Sequence, residues 1–493
     1  MGLLQCLGQS AHKPLWLEAR SAPSFIIFVS CFSVFTHLFF YGMLVPVTPT
    51  ALRERAGVPE ADIQKWASIL QAIYGGATFL TSPLAGWFTD RTGTRRLPFI
   101  LCLVSLAAAT ALLAVGTSIG LWIAGRLLQG VSAGMLWVVC LALLSESLGK
   151  ASIGRAVGII GIPMSLGPII GPLIGGVIYA SGGYLSVFAV MFSMLGIDAV
   201  LRLVMVEPRV ARKWLQNTAE PRESGEPVPE NAEMDSGAHA SKECEPVDPV
   251  LTSTGPADRR KQLPAVFRLL GNRRILIGVT GGFLQSCLNV AFDSTLPLVV
   301  NDLFGWDQTG QGLIFITILV PSLLQPVFGA VTDSYLEGRR LLGAGGCLLA
   351  CPIYILLRFV SQNSLEHKVL LSALLVLIGL AMAISMPAII AEIGSTVAEI
   401  EANNPDAVQG GAVATGWSLV NATYAAGAMV GPLFAGLLRD AAGWETTTWC
   451  LGLLSGVTGV FLLLFLGDWI GKVRPRRALL ARRQKQQGTS SSS

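Results

Sequence analysis

Charge is what this chain has least of. Asp, Glu, Lys and Arg make up 13% of its 493 residues, where a soluble domain carries about a quarter. With 52% hydrophobic residues and a mean hydropathy of +0.59, that scarcity excludes a soluble multidomain enzyme and points to a chain built for lipid. Four histidines and nine cysteines are present, and none falls in a spacing that suits a metal. Cys347 and Cys351 share a helix face, yet no histidine or acid stands beside them to complete a ligand set. Cys31, Cys102, Cys140, Cys287, Cys347 and Cys351 lie in apolar runs and read as small apolar side chains, not as a disulfide framework. No glycine-rich loop ends in Gly-Lys-Ser or Gly-Lys-Thr, which excludes a nucleotide-driven pump. No cleavable signal peptide is expected, because the first apolar run is too long and no small-residue cleavage site follows it. The net charge of +4 is small; no nucleic-acid partner, metal or cofactor is expected.

What the chain does have is apolar length. Stretches able to cross a bilayer, at roughly 20 residues each, fall near 24–46, 66–88, 97–115, 119–145, 155–180 and 184–206. After a polar interval they resume near 274–300, 310–332, 341–361, 368–392, 412–438 and 444–468. They predict an all-α integral membrane protein, with twelve transmembrane helices in two six-helix bundles spanning 24–206 and 274–468. The segment 207–273 between them is rich in Pro, Glu, Ser, Asp and Lys, buries too little apolar surface to fold, and reads as a disordered linker. Tails of 1–23 and 469–493 flank the bundles, the second basic through Arg474, Arg476, Arg477, Arg482, Arg483 and Lys485.

Loop charge orients the bundles. Arg91, Arg95, Arg96, Lys150, Arg155, Arg339 and Arg340 fall on the side of the linker and basic tail, whereas loops after the third, fifth and seventh spans carry no Lys or Arg. Positive-inside bias then places both termini and the linker in the cytosol. Arg53, Arg55 and Lys65 run against the trend, but Glu54, Glu60 and Asp62 accompany them.

Residues Gly161 to Gly176 read GIPMSLGPIIGPLIGG inside an uncharged run. Glycine and proline are costly in a helix interior unless a neighbouring helix approaches closely or the freed backbone groups are satisfied. Gly167, Gly171 and Gly175 recur every four residues as a flat stripe, and Pro172 and Gly176 complete the pattern. Gly427, Gly431, Pro432, Ala435 and Gly436 echo it in the eleventh span. The fifth-span pattern resembles the antiporter motif of major facilitator superfamily exporters, which implies outward transport.

A second pattern, Gly86-Trp-Phe-Thr-Asp90-Arg91-Thr-Gly93-Thr-Arg95-Arg96, resembles that superfamily's signature loop between the second and third spans. The resemblance implies a cytosolic gate latched by Gly86, Asp90, Arg91, Gly93 and Arg95. The echo after the eighth span, Gly329-xxx-Asp333, is weaker, since Ser334 replaces the arginine and Gly338 is displaced. Glu392 stands near the end of the tenth span as Glu146 does in the fourth. Arg126-Leu-Leu-Gln129-Gly130 is similar to the fourth-span motif, where the arginine is linked to proton coupling; an arginine within a span needs a partner or a cavity.

Asp293 lies inside the seventh span, four residues before Pro297. Burial disfavours a carboxylate's charged form, so such an acid can load and release protons. The segment resembles vesicular monoamine transporters and their fungal drug-exporter relatives. His37 stands nine residues before Pro46, where those relatives commonly carry aspartate, and Asn421 stands eleven before Pro432, where monoamine transporters have an acid. The tenth-span acid is also missing before Pro387. These replacements exclude a simple biogenic-amine carrier. Proton coupling is expected of Asp293, His37 and Arg126. Tyr41, Gln71, Tyr74, Trp137, Asn289, Trp417 and Asn421 are candidates for lining the substrate cavity. Asp198 and Arg202, four apart in the sixth span, are expected to neutralise each other.

The chain most resembles the twelve-span drug:proton antiporters of filamentous fungi. That resemblance implies a monomeric, non-enzymatic exporter of a small organic compound, such as a drug, toxin or secondary metabolite. It would be driven by protons across the lipid bilayer, at the plasma membrane by preference over a vacuolar or vesicular one. A proton-coupled nutrient importer and a transporter-like receptor are the alternatives.

Overall fold

The computed structural model describes residues 16–91, 95–148, 153–206, 211, 269–334, 338–403 and 412–467. Regular structure among them is entirely helical. The first half holds α1 (Pro23–Glu54), α2 (Ile63–Arg91), α3 (Arg96–Val115), α4 (Ile119–Leu148), α5 (Ile153–Gly182) and α6 (Tyr184–Val204). The second holds α7 (Arg273–Phe304), α8 (Gln308–Ser322, continued after a short break as Gln325–Ser334), α9 (Gly338–Leu356) and α10 (Leu365–Asn403). A final stretch, Ala412–Phe465, breaks at Gly443 (φ 81°) into α11, residues 412–442, and α12, residues 444–465. Apart from Ala211 and residues 269–273, the expected linker lies outside the described residues, as do residues 1–15 and the basic tail.

Helix ends follow local chemistry. The Asn272 side chain accepts from the Arg274 amide at 2.9 Å to start α7, and Asp307 accepts from Gly310 at 3.0 Å to start α8. Gly305 closes α7 in the left-handed region at φ 63°. Gly183 (φ 75°) between α5 and α6 and Gly443 between α11 and α12 make matching reversals in the two halves.

Among the described residues, ten stretches are long and apolar enough to cross a membrane. The twelve expected spans are recovered once α11 and α12 are counted separately and α2 is added. α2 falls short because Gln64, Ser68, Gln71, Thr78 and Ser82 are buried along it, facing other helices instead of lipid. Lipid-facing positions elsewhere are apolar and exposed, among them Leu84, Val200 and Val457.

The glycine stripes are packing surfaces. A Cβ at Gly167 would lie 2.7 Å from the Leu38 side chain, one at Gly171 would lie 2.7 Å from the Phe39 carbonyl oxygen, and one at Gly175 would lie 2.6 Å from that of Met43. So α5 lies flush on α1. In the second half, a Cβ at Gly431 would lie 2.5 Å from the Cys287 carbonyl oxygen, and Gly427 meets Ser286, so α11 lies flush on α7. Gly176 and Gly436 sit off each stripe and face the opposite bundle, at Gln308 of α8 and Ser68 of α2 respectively. The bundles meet along α2 with α11 and α5 with α8.

One buried ion pair stands in the first bundle. Arg202 binds Asp198 at 2.5 Å with both side chains almost fully buried. Ser33 of α1 donates to Asp198 at 2.6 Å, and Arg202 also donates to the Phe99 carbonyl at 2.7 Å. The expected neutralisation is what the structure shows, and the pair ties α6 to α1 and α3 in addition.

Candidate functional site

Asp293 projects from α7 into the seam between the bundles, half-buried. The Tyr41 hydroxyl, from α1 of the other bundle, donates to its Oδ2 at 2.5 Å. Gln71 of α2 donates to that hydroxyl at 3.4 Å, and the Tyr74 ring packs on Tyr41 with centroids 4.9 Å apart. Four expected residues are therefore brought together: Asp293, Tyr41, Gln71 and Tyr74. Tyr41 falls in register because α1, held against α5 by the glycine stripe, turns this face toward α7.

Arg126 of α4 is 1% exposed. Its guanidinium donates to Gln129 at 3.1 Å and to Thr48 of α1 at 3.2 Å, and it lies within electrostatic reach of Asp293 without an ion pair between them. His37 is 1% exposed and lies four residues from Tyr41 on α1, its ring 6.5 Å from that of Tyr74. Neither of its ring nitrogens has a hydrogen-bond partner among the described residues. It adjoins the cluster without joining its hydrogen bonds.

Asn289, one turn before Asp293, donates to the Tyr424 hydroxyl of α11 at 3.4 Å. Asn421 donates across the seam to Ser82 of α2 at 2.9 Å. Trp137 is half-buried against the aliphatic core of its own bundle, among residues such as Val139 and Leu143. The Trp417 side chain lies outside the described residues. So do the side chains of Asp90, Arg91 and Glu146, and all of Gly93. Of the expected cytosolic gate, Gly86 sits on α2, and Arg95 is buried and donates to the Thr89 carbonyl at 2.5 Å.

The second-half copy of that gate keeps its basic group one residue later. Arg339 donates to the Thr332 carbonyl at 3.1 Å and lies 3.7 Å from Glu392. Arg274 of α7 pairs with the same Glu392, which is 4% exposed. The sequence gap after Asp333 hides this arginine from a fixed-spacing match.

Other residues had no signal in the sequence. On the end assigned outside, Gln64 of α2 accepts from Arg439 of α11 at 2.6 Å and donates to the Ser294 carbonyl of α7 at 3.0 Å. Arg439 also pairs with Asp302 at 2.6 Å, and Gln308 of α8 donates to Thr50 of α1 at 2.8 Å. The Gln64 and Gln308 bonds and the close approaches at Gly176 and Gly436 join the two bundles on that side. Tyr424 likewise emerged only from the packing.

Comparison with known proteins agrees with this architecture. Residues 30–404 match the family model described as Major Facilitator Superfamily. An uncharacterized MFS-type transporter of Schizosaccharomyces pombe is 33% identical over 443 residues, covering 89% of this chain and 95% of its own. The MFS-type transporter ppzB of Metarhizium rileyi is 30% identical over 477 residues, covering 92% and 97%. Among solved structures, a D-xylose-proton symporter superposes with a TM-score of 0.64 over 92% of this chain and 100% of that one, at 17% identity, which establishes likeness of fold alone. Twelve helices in two echoing halves, with a polar cluster between them, are thus the architecture of a multi-pass membrane transporter, and the chain belongs to the Major Facilitator Superfamily.

Proposed function

We propose that this chain is a proton-coupled exporter of a small organic compound, a drug, toxin or secondary metabolite, acting at the plasma membrane. The observation that carries the proposal is the state of Asp293. Among the described residues, the buried acids Asp198 and Glu392 are both ion-paired with arginine, whereas Asp293 is held by the neutral hydroxyl of Tyr41. A carboxylate with no salt bridge to break can exchange a proton or meet a substrate group at low cost. Proton and substrate compete for it, so each displaces the other, and the gradient drives cargo out. Export as the direction is supported by the α5 stripe, which resembles the exporters' antiporter motif and here seals α5 onto α1. Tyr41, Tyr74 and Tyr424 supply flat, amphipathic surface suited to an aromatic cargo.

The test is counterflow in proteoliposomes under an imposed pH gradient, run with a panel of labelled aromatic drugs and fungal metabolites. Uptake driven by an acidic interior supports antiport; a requirement for outside acid would establish import instead. Asp293→Asn should abolish gradient-driven flux, and full coupling in that variant would end the assignment.

A further inference from the structure

The Tyr41–Asp293 bond crosses from one bundle to the other. α1 and α7 belong to different halves, so any rocking that opens the outer end must stretch or break this bond. When Asp293 is ionised, the hydroxyl donates to a charged acceptor, the class of hydrogen bond that is about twice as strong as a neutral one. It is also supported from behind, since Gln71 donates to the same hydroxyl and Tyr74 packs against the ring.

We infer that Tyr41 is a positioning residue that reads the occupancy of Asp293 and forbids movement of the empty carrier. The inference rests on Asp293 being the proton site. An antiporter must cross loaded with either proton or substrate; crossing empty in one direction and protonated in the other would dissipate the gradient. With Asp293 ionised and the cavity empty, Tyr41 clamps α1 to α7 and the outer end stays shut. A proton added to Asp293 neutralises the acceptor and removes the charge assistance. A substrate group that binds the carboxylate displaces the Tyr41 hydroxyl. Either event releases the clamp, and only the empty, ionised form is held.

The groups around Asp293 fit this reading. Besides Tyr41 from α1, it is within electrostatic reach of Arg126 from α4, Tyr74 from α2 and Tyr424 from α11. Arg126 is tied to Thr48 and Gln129 within its own bundle. Tyr424 is held by Asn289 of the same bundle as Asp293. Tyr41 therefore makes the one direct cross-bundle bond to the carboxylate among the described residues.

The test needs no substrate. Purified Tyr41→Phe protein in proteoliposomes, with a pH-sensitive dye inside and a valinomycin-set potassium potential, should conduct protons roughly tenfold faster than wild type. That ratio is what losing ~1.4 kcal/mol of a charge-assisted bond gives. The Tyr41→Phe/Asp293→Asn double variant should return to the wild-type rate, because the leak must pass through the carboxylate. A second measurement does not depend on Tyr41→Phe folding. Ser68, buried under Gly436 at the outer seam, is replaced by cysteine and labelled from outside with an impermeant thiol reagent. Asp293→Asn, which mimics the neutral acid, should speed that labelling several-fold. No leak in Tyr41→Phe while Asp293→Asn has lost coupling would overturn the inference and leave the function standing. A leak that survives in the double variant, or labelling unchanged by Asp293→Asn, would also overturn it. Full coupling in Asp293→Asn would remove both readings together.

Discussion

Gly171→Ala adds a single methyl group, and the structure fixes what that group would meet. Its Cβ would lie 2.7 Å from the Phe39 carbonyl oxygen and 2.9 and 3.1 Å from Cα and C of Gly42, where ordinary contact begins at 3.4 Å. The shortfall is ~0.7 Å against backbone atoms, which cannot rotate aside as a flexible side chain can. α1 must therefore back away from α5, loosening the neighbouring contacts at Gly167 with Leu38 and Gly175 with Met43. Overpacking of this kind costs ~1–3 kcal/mol. Helix propensity acts in the opposite direction, because alanine is better than glycine in a helix interior by about 1 kcal/mol. The two effects separate cleanly at Gly196 on α6 and Gly345 on α9, where an added Cβ meets nothing within 4 Å. The same substitution should thus destabilise at 171 and leave stability unchanged or slightly raised at 196 and 345. Thermal unfolding of the purified proteins in detergent measures this. A Gly171→Ala protein as stable as wild type, or equal losses at all three positions, would refute the packing argument.

Two further perturbations follow from buried polar contacts. Asp198→Asn leaves the Arg202 charge, 1% exposed, without its carboxylate, so thermal unfolding in detergent should show a loss of ~3–5 kcal/mol. Replacing both partners by Asp198→Leu and Arg202→Met should recover most of that loss, and a double variant no better than the single one would contradict the ion-pair account. At the outer seam, Gln64→Leu removes the bonds to Arg439 and the Ser294 carbonyl, whereas Gln64→Glu gives Arg439 a second carboxylate. Labelling of a cysteine at Ser68 from outside should accelerate in the first and slow in the second; equal rates would remove Gln64 from the closure.

The residues proposed to carry function were unevenly visible in the sequence. Asp293 stood out because an acid in an apolar run is costly whatever surrounds it. The stripe at Gly167, Gly171 and Gly175 stood out because helical periodicity alone puts every fourth residue on one face. α2 was recognised as a span by its run of apolar residues, although its buried glutamines and hydroxyls lower its hydropathy below that of the other helices. Arg339 was read only as an orienting loop charge, because one extra residue after Thr332 shifts it out of the repeated spacing, while the helix still delivers it to the Thr332 carbonyl and Glu392.

By itself the sequence determined that the chain lives in lipid, that it is built from twelve helices in two echoing halves, and which residues make the flat faces. Hydrophobic runs and glycine spacing act locally, so they can be read along the chain. Only the tertiary structure decided that Tyr41 meets Asp293 across 252 residues and Gln64 meets Arg439 across 375. Such partners are chosen by the angles at which helices pack and by the bundle each belongs to. Nothing near either residue in the chain encodes that meeting.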